Sequence, residues 1–207
     1  MSQRDRREAI IDAAIEVAME NGLGATTVRD VAGRMGSSSG LIHHYFESMD
    51  LVLAGAFRRV AEKDLATSRD ELAVLGDPVT QLAHFVNTYF SPDRDPAFQF
   101  WLDAWSEAGR NGALQQASSS LNVEWQQTLL TIIESGVDSG DFECSDPFGA
   151  SWSILSLLDG LALQIVAHRT VLSRAQSIVW AAGTIERDLG LPSGALRHQA
   201  PVGASAL

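Results

Sequence analysis

Residues 26–50, TTVRDVAGRMGSSSGLIHHYFESMD, have the pattern of two short helices joined by a glycine turn. Thr27 and Asp30 have the spacing of a capping box, so a helix should begin at about Val28. An apolar stripe follows at steps of three and four residues: Val28, Val31, Ala32 and Met35. Gly36 can adopt the left-handed conformation that ends such a helix.

The second helix of this pair is predicted to present a polar face to solvent. Ile42 and Phe46 share its apolar face at i, i+4, and the residues that point away from it are Ser39, Gly40, His43 and His44. Two helices joined by a short glycine turn form the helix-turn-helix arrangement, whose second helix lies in the major groove of DNA. The two histidines are then placed to read a purine edge.

Residues 1–50 resemble the tetracycline-repressor (TetR) family of bacterial regulators. The resemblance is carried by REAIIDAAIEVAMENG as the first helix, TTVRDVAGRMG as the second, SSSGLIHHYF as the recognition helix and ESMDLV at the start of the fourth. It implies that Thr27 meets a phosphate, that Tyr45 reaches the DNA backbone and that Leu41 can touch a thymine methyl group. The residues that it implies line the groove are Ser38, Ser39, Gly40, His43 and His44.

Two positions depart from the pattern of that family. Ser37 stands where an apolar residue is usual, and Met49 stands where a phosphate-binding lysine is usual. The first change should loosen the turn, and the second removes a charged anchor for DNA.

The net charge of −11 is unevenly distributed along the 207 residues. Residues 1–60 carry seven arginines against eight acidic residues, and the rest carries eight basic against 18 acidic residues. The acidic body should weaken non-specific DNA binding, which leaves local attraction to a few arginines: Arg4, Arg6, Arg7, Arg29 and Arg34.

Composition and motifs exclude several other classes of protein. The chain has no apolar run of about 18 residues and no signal-peptide core, so we expect a cytoplasmic protein with no membrane partner. Cys144 is the single cysteine, which excludes an internal disulfide and a cysteine metal cluster. No GxSxG, HExxH or phosphate-cradling glycine loop occurs, so we predict no enzyme, no catalytic residues, no metal and no cofactor.

The helix-starting and helix-ending residues along the chain predict an all-α fold of about nine helices. After the first three, helices are expected over 48–73, 78–90, 95–109, 112–138, 147–168 and 173–189. We predict a helix-turn-helix DNA-binding domain over 1–47 and a larger helical ligand-binding and dimerisation domain over 48–191. The small-residue-rich tail over 192–207 is predicted to be disordered.

The helix over 147–168 is apolar on two faces, which predicts burial from both sides. One face would pack in its own domain, and the other would form a four-helix bundle with the last helix across a two-fold axis. The predicted homodimer interface is Trp152, Leu155, Ala162, Val166, Ile178, Ala182 and Ile185. Asp159 in the middle of this helix argues against a membrane span.

Aromatic residues on the central helices predict an effector pocket. The segments FQFWLDAWSEAG and SILSLLDGLALQ resemble the C-terminal domain of the choline-responsive repressors of glycine-betaine synthesis. The pocket hypothesis comprises Tyr89, Trp101, Trp105, Trp125, Asp159 and Gln164. It would suit a quaternary amine through cation–π attraction or a flat hydrophobic metabolite. A buried carboxylate needs a partner, so Asp159 is either satisfied at the subunit interface or faces a cavity.

The predicted function is a ligand-responsive transcriptional repressor. It would bind a palindromic operator in double-stranded DNA as a homodimer and be released by an unidentified small-molecule effector. The alternative is a helical protein-interaction module with weakened or lost DNA binding, which Met49 and the net acidity favour.

Overall fold

The computed structural model describes residues 2–168 and 172–196, which form nine α-helices and two short 3₁₀ turns and contain no strand. The all-α prediction is therefore confirmed. The helices are α1 Gln3–Asn21, α2 Val28–Arg34, α3 Ser39–Tyr45, α4 Met49–Ala73, α5 Pro78–Tyr89, α6 Asp95–Ala108, α7 Gly112–Ser139, α8 Pro147–His168 and α9 Arg174–Asp188. The 3₁₀ turns are Leu23–Ala25, between α1 and α2, and Pro92–Arg94, between α5 and α6.

Local capping explains where the helices begin. The predicted capping box of Thr27 and Asp30 starts α2, and a second capping box, formed by Ser173 and Gln176, starts α9. Asp77 caps α5 by accepting a hydrogen bond of 2.8 Å from the backbone N–H of Thr80. These side chains bind N–H groups of the first turns, which have no partner within a helix.

The chain forms two compact units. The described residues of Met1–Ala66 and Asp95–Glu124 make up the first unit, and those of Thr67–Arg94 and Trp125–Leu207 make up the second. The boundaries fall inside α4 and α7, and α6 belongs to the first unit. The units therefore differ from the predicted sequence domains 1–47 and 48–191.

The core of the first unit joins α1, α2, α3 and the start of α4. Its buried members are Ile10, Ile11, Ala13, Ala14, Val31, Ala32, Ile42, Phe46, Val52 and Ala56. Val28 and Met35 pack against them while partly buried, so the whole predicted stripe of α2 faces this core. Burial of this stripe fixes α2, and with it the direction of the turn that leads to α3.

The second unit contains α5, α8 and α9, which contact one another. Gln126 on α7 donates a buried hydrogen bond of 2.6 Å to the hydroxyl of Ser151 on α8. In α7, a methyl group added to Gly136 would lie 2.1 Å from the ring of Phe142, which is only 3% exposed. A residue without a side chain is therefore needed where this ring packs on the helix.

A turn at residues 193–196 closes the described part of the second unit. The backbone N–H groups of Gly194 and Leu196 each donate a hydrogen bond of 2.9 Å to the buried carboxylate of Glu186 on α9. Asn87 on α5 donates to the carbonyl oxygen of Leu196 at 3.3 Å, and Leu196 itself is fully buried. The first residues of the predicted tail are thus held by α5 and α9, and residues 197–207 lie outside the described part of the chain.

Among the described helices, α8 alone is long and apolar enough to cross a membrane by length and composition. Helices that pack in the core of a soluble protein pass the same test. Within the second unit, α8 packs on α5 and α9, and the carboxylate of Asp159 in its middle has a polar partner in Tyr89. These contacts are those of a helix inside a folded unit.

Candidate DNA-binding helix and aromatic cage

The outward face of α3 carries the polar side chains that the sequence predicted. His43, His44 and Gly40 are exposed, and the residue before the helix, Ser38, is exposed as well. Ile42 is 1% exposed and anchors the opposite face in the core. The remaining predicted DNA-binding residues of α3 are half-buried: Ser39, Leu41 and Tyr45. The helix thus presents a short polar surface of the kind that can enter a groove.

The turn before α3 has the predicted glycine conformation. Gly36 has a φ of +59°, a left-handed conformation that side chains disfavour. Ser38 occupies the N-cap position, but its hydroxyl accepts no capping hydrogen bond from α3 in the described structure. The start of α3 is therefore held by the turn and the core, and not by a side-chain cap from Ser38.

Thr27 has its polar hydrogens directed within the chain. Its hydroxyl donates to the carboxylate of Asp30 at 2.5 Å, and its backbone N–H donates to the same carboxylate at 3.0 Å. These bonds hold the pKa of Asp30 below its usual value. A phosphate contact through the Thr27 hydroxyl would require that proton to leave Asp30, and this role of Thr27 stays a prediction.

Arg7 fixes the C-terminal end of α3. Its guanidinium donates to the carbonyl oxygen of Tyr45 and lies 4.3 Å from the centre of the Phe46 ring. Tyr45 in turn contacts His44 on the outward face of α3, where the two rings lie edge to face with their centres 4.9 Å apart. The orientation of α3 is therefore set from α1.

The structure divides the predicted DNA-attracting arginines into two groups. Arg34 pairs with Glu16 at 3.2 Å and with Glu20, and Arg7 is engaged at the end of α3. The others are exposed or half-buried: Arg4, Arg6 and Arg29. Two of the five arginines that were predicted to attract DNA thus have partners within the first unit.

Three of the six predicted pocket residues lie together in the second unit. The hydroxyl of Tyr89 on α5 donates to a carboxylate oxygen of Asp159 on α8 at 2.5 Å. The ring of Trp125 on α7 lies edge to face with that of Tyr89, their centres 6.4 Å apart. We call Tyr89, Trp125 and Asp159 the aromatic cage. A fourth residue, Arg94, places its guanidinium carbon 4.7 Å from the Trp125 ring centre and 5.3 Å from that of Tyr89.

Asp159 has an unusual titration. Burial raises its pKa to about 6, because the ionised form loses hydration there, and the hydrogen bond from Tyr89 lowers it in part. The structure gives this carboxylate a partner within its own chain. A carboxylate of raised pKa beside aromatic rings is a candidate for binding a cationic ligand.

The other three predicted pocket residues do not join the aromatic cage. Trp101 and Trp105 belong to the first unit, where Trp101 packs edge to face on Phe57, with ring centres 4.9 Å apart. Trp105 is 37% exposed and contacts Trp101. Gln164 lies five residues after Asp159 on α8, which turns it about 140° away around the helix.

The predicted dimer residues divide by burial. Four of them are at most 4% exposed in the single chain: Leu155, Ala162, Ala182 and Ile185. The other three are half-buried: Trp152, Val166 and Ile178. The first four therefore have almost no surface left for a partner in the single chain. The apolar surface that these helices leave exposed is Phe148, Leu163, Val179 and Trp180.

Sequence reasoning missed two residues that the structure brings into the sites. Arg94 lies between two predicted helices, where a single arginine between prolines gives no periodic signal. Asp103 on α6 accepts a hydrogen bond of 2.8 Å from the backbone N–H of Leu23, in the 3₁₀ turn between α1 and α2. The sequence gives no signal for this contact of Asp103 with the N–H group of Leu23, because the two residues are 80 positions apart and only the fold brings them together.

An all-helical chain whose exposed α3 follows α2 through a glycine turn defines the class of helix-turn-helix DNA-binding regulators. Residues 10–56 match the model for bacterial regulatory proteins of the tetR family, and residues 78–190, more than half of the chain, match that for the BetI-type transcriptional repressor C-terminal domain. The chain therefore belongs to the TetR family, in the group with a BetI-type C-terminal domain. This is a family of transcriptional regulators and not of enzymes, as the sequence predicted.

Individual relatives agree with this assignment. The HTH-type transcriptional regulator BetI of Paraburkholderia xenovorans is 36% identical over 107 residues, which cover 50% of this chain and 54% of the relative. The chain thus matches about half the length of this curated relative.

Solved structures share the fold. A protein from Saccharomonospora viridis, described as a transcriptional regulator and crystallised in complex with choline, has a TM-score of 0.80 and 23% identity, covering 90% of this chain and 98% of its own. A TetR-family regulator from Cytophaga hutchinsonii has a TM-score of 0.75 and 21% identity, covering 92% and 96%.

Proposed function

We propose that this protein is a cytoplasmic, ligand-responsive transcriptional repressor that binds a palindromic operator as a homodimer through α3. The observation that carries the proposal is the face of α3, where His43, His44 and Gly40 are exposed while Ile42 is anchored in the core. Polar side chains on a rigidly seated helix can donate to and accept from base edges. Membership of the TetR family supports the same function.

Specificity should come from geometry more than from charge. Arg7 and Arg34 are engaged within the first unit, so few arginines remain for phosphates. Engagement of two half-sites by a dimer compensates for weak contacts in each half, because the second half-site binds at a high effective concentration.

The dimer is proposed to form through the exposed apolar face of α8 and α9. Phe148 is 60% exposed, Trp180 50%, Val179 48% and Leu163 38%. Such side chains are costly to leave in water when they cluster, and a two-fold axis would let the same surface cover itself. This face replaces the four residues that are buried within the chain.

The effector is proposed to be a small quaternary amine that binds at the aromatic cage. The rings of Tyr89 and Trp125 can attract a cation through their faces, and Asp159 supplies a negative charge once ionised. The choline complex of the Saccharomonospora viridis protein supports this class of ligand. The ligand would release the operator by favouring a conformation in which the two copies of α3 no longer fit successive grooves.

Fluorescence-anisotropy titration against the DNA upstream of the protein's own gene tests the proposed function. The wild type should bind, and His43→Ala and His44→Ala should each weaken binding by about 1–3 kcal/mol. His84→Ala is the matched control, since His84 pairs with Glu71 in the second unit. Wild-type affinity in both α3 variants would contradict recognition of base edges by His43 and His44. Failure of the wild type to bind this DNA would favour the protein-interaction module.

Effector class is tested by thermal-shift screening and by release from the operator complex. Choline should stabilise the protein and lower the anisotropy of the DNA complex. Stabilisation by flat aromatic acids without any response to choline would show that the ligand is a hydrophobic metabolite instead.

A further inference from the structure

The aromatic cage already holds a cation that the chain itself supplies. The guanidinium carbon of Arg94 lies 4.7 Å from the ring centre of Trp125 and 5.3 Å from that of Tyr89. Both distances are within the roughly 6 Å over which a ring attracts a cation. One positive group therefore contacts the two rings that a cationic ligand would use.

The surroundings of this guanidinium resemble those of a bound ligand. Trp125 is 4% exposed, so its ring is largely shielded from water, where a cation–π contact is stronger than at an open surface. Tyr89 is oriented by its hydrogen bond to Asp159, which places a carboxylate at the edge of the same ring. Two rings and a carboxylate are thus assembled before any ligand arrives.

We propose that Arg94 is a tethered competitor for the aromatic cage, which an effector cation must displace in order to bind. This proposal rests on the proposed effector site and adds its regulation. It makes Arg94 a specificity-determining residue: a ligand that is neutral or anionic gains nothing by replacing a guanidinium on two aromatic faces, whereas a quaternary amine makes the same contacts.

Arg94 directly precedes the helix that secures the turn between α1 and α2. Arg94 ends the 3₁₀ turn Pro92–Arg94, and the next residue begins α6. On α6, the carboxylate of Asp103 holds the backbone N–H of Leu23 in the turn between α1 and α2. Release of Arg94 would remove one contact beside the start of the helix whose side chain secures that turn. Ligand binding is linked to operator release by preference for the conformation with Arg94 displaced.

Isothermal titration of the purified protein with tetramethylammonium and with choline tests the proposal. Arg94→Gln removes the competing cation and should raise the affinity for both probes by about 5- to 30-fold, the range that corresponds to a partly desolvated cation–π contact. Arg94→Met, which keeps an unbranched side chain, should do the same, and Arg94→Lys, which keeps a cation, should stay near the wild type. Arg187→Gln is the matched control, because Arg187 is exposed on α9 in the same unit and loses the same charge.

Unchanged or weaker binding in both neutral variants would overturn the proposal, as would absence of cation binding in every variant. An equal gain in Arg187→Gln would overturn it too, since the effect would then be one of net charge. Operator titration of the wild type, without any cation, separates these outcomes from failure of the proposed function. If the protein binds its operator but substitution of Arg94 does not change its cation affinity, the proposed repressor function stands and the competition by Arg94 is refuted.

Discussion

Asp159→Asn should make the protein more stable at neutral pH. In the folded chain, burial raises the pKa of this carboxyl from 3.8 to about 6. Ionisation of Asp159 at pH 8 therefore lowers the free energy of unfolding, whereas an asparagine has no charge to desolvate. Asparagine also keeps an oxygen that can accept the hydrogen bond from Tyr89, so the substitution changes charge more than shape.

The size and the pH window of the effect follow from the two pKa values. A difference of about two units corresponds to roughly 3 kcal/mol, which is an upper value because Asp159 keeps some contact with water. Because the folded pKa is the higher one, the folded state binds more protons between pH 4 and 6. Stability therefore falls as pH rises through this window, and the whole cost is present above it. The gain from Asp159→Asn should be largest above about pH 7 and absent below about pH 4.

Urea denaturation of the wild type and the variant at pH 8 and at pH 4, at one protein concentration, measures this difference. At pH 8 the melting temperature should also rise by up to about 6–12 °C. Asp138→Asn is the control, because Asp138 is an exposed aspartate on α7. An equal gain at both pH values, or none at pH 8, would refute the assigned cost of ionisation. The stabilised variant should nevertheless bind choline more weakly, since the cage loses its negative charge.

Two further substitutions test the packing of the second unit. Gly136→Ala should lower the free energy of unfolding by about 1–3 kcal/mol, because the new methyl group would overlap the Phe142 ring. Gly33→Ala is the control, because Gly33 is a helical glycine with open space around it. This control variant should be as stable as the wild type or more stable in the same urea titration. Glu186→Ala should cost about 2–4 kcal/mol, because the buried N–H group of Leu196 and the half-buried N–H group of Gly194 lose a charged acceptor. Hydrogen exchange of these two groups should accelerate, and unchanged exchange would show that the turn is held by packing alone.

Helix positions were predictable from sequence because short-range chemistry sets them. The Asp77-Pro78 pair and the capping boxes at Thr27 and Ser173 fix the starts of α5, α2 and α9. The outward face of α3 was predictable for a similar reason, since Ile42 and the core on one side leave the histidines on the other. Each of these inferences needed only residues within one or two helical turns.

Long-range features were harder to predict. Because α8 is apolar on two faces, periodicity alone could not say which face meets α9 in the same chain, and residues such as Leu155 proved to be covered within it. The tryptophans of α6 share a helix with acidic residues, yet Trp101 packs in the first unit. Arg94 meets Trp125 across 31 positions of sequence, and no local pattern marks that contact.

The clamp that Arg7 makes on Tyr45 and Phe46 has a practical consequence for handling the protein. Arg7, near the start of α1, holds the C-terminal end of α3 in position, although 38 positions separate Arg7 from Tyr45. Any extension at the amino terminus that unwinds the first turns of α1, or brings an acidic group to Arg7, should tilt the reading helix and alter operator choice without unfolding the protein. Purification tags are therefore better placed at the carboxyl terminus when DNA selectivity is to be measured.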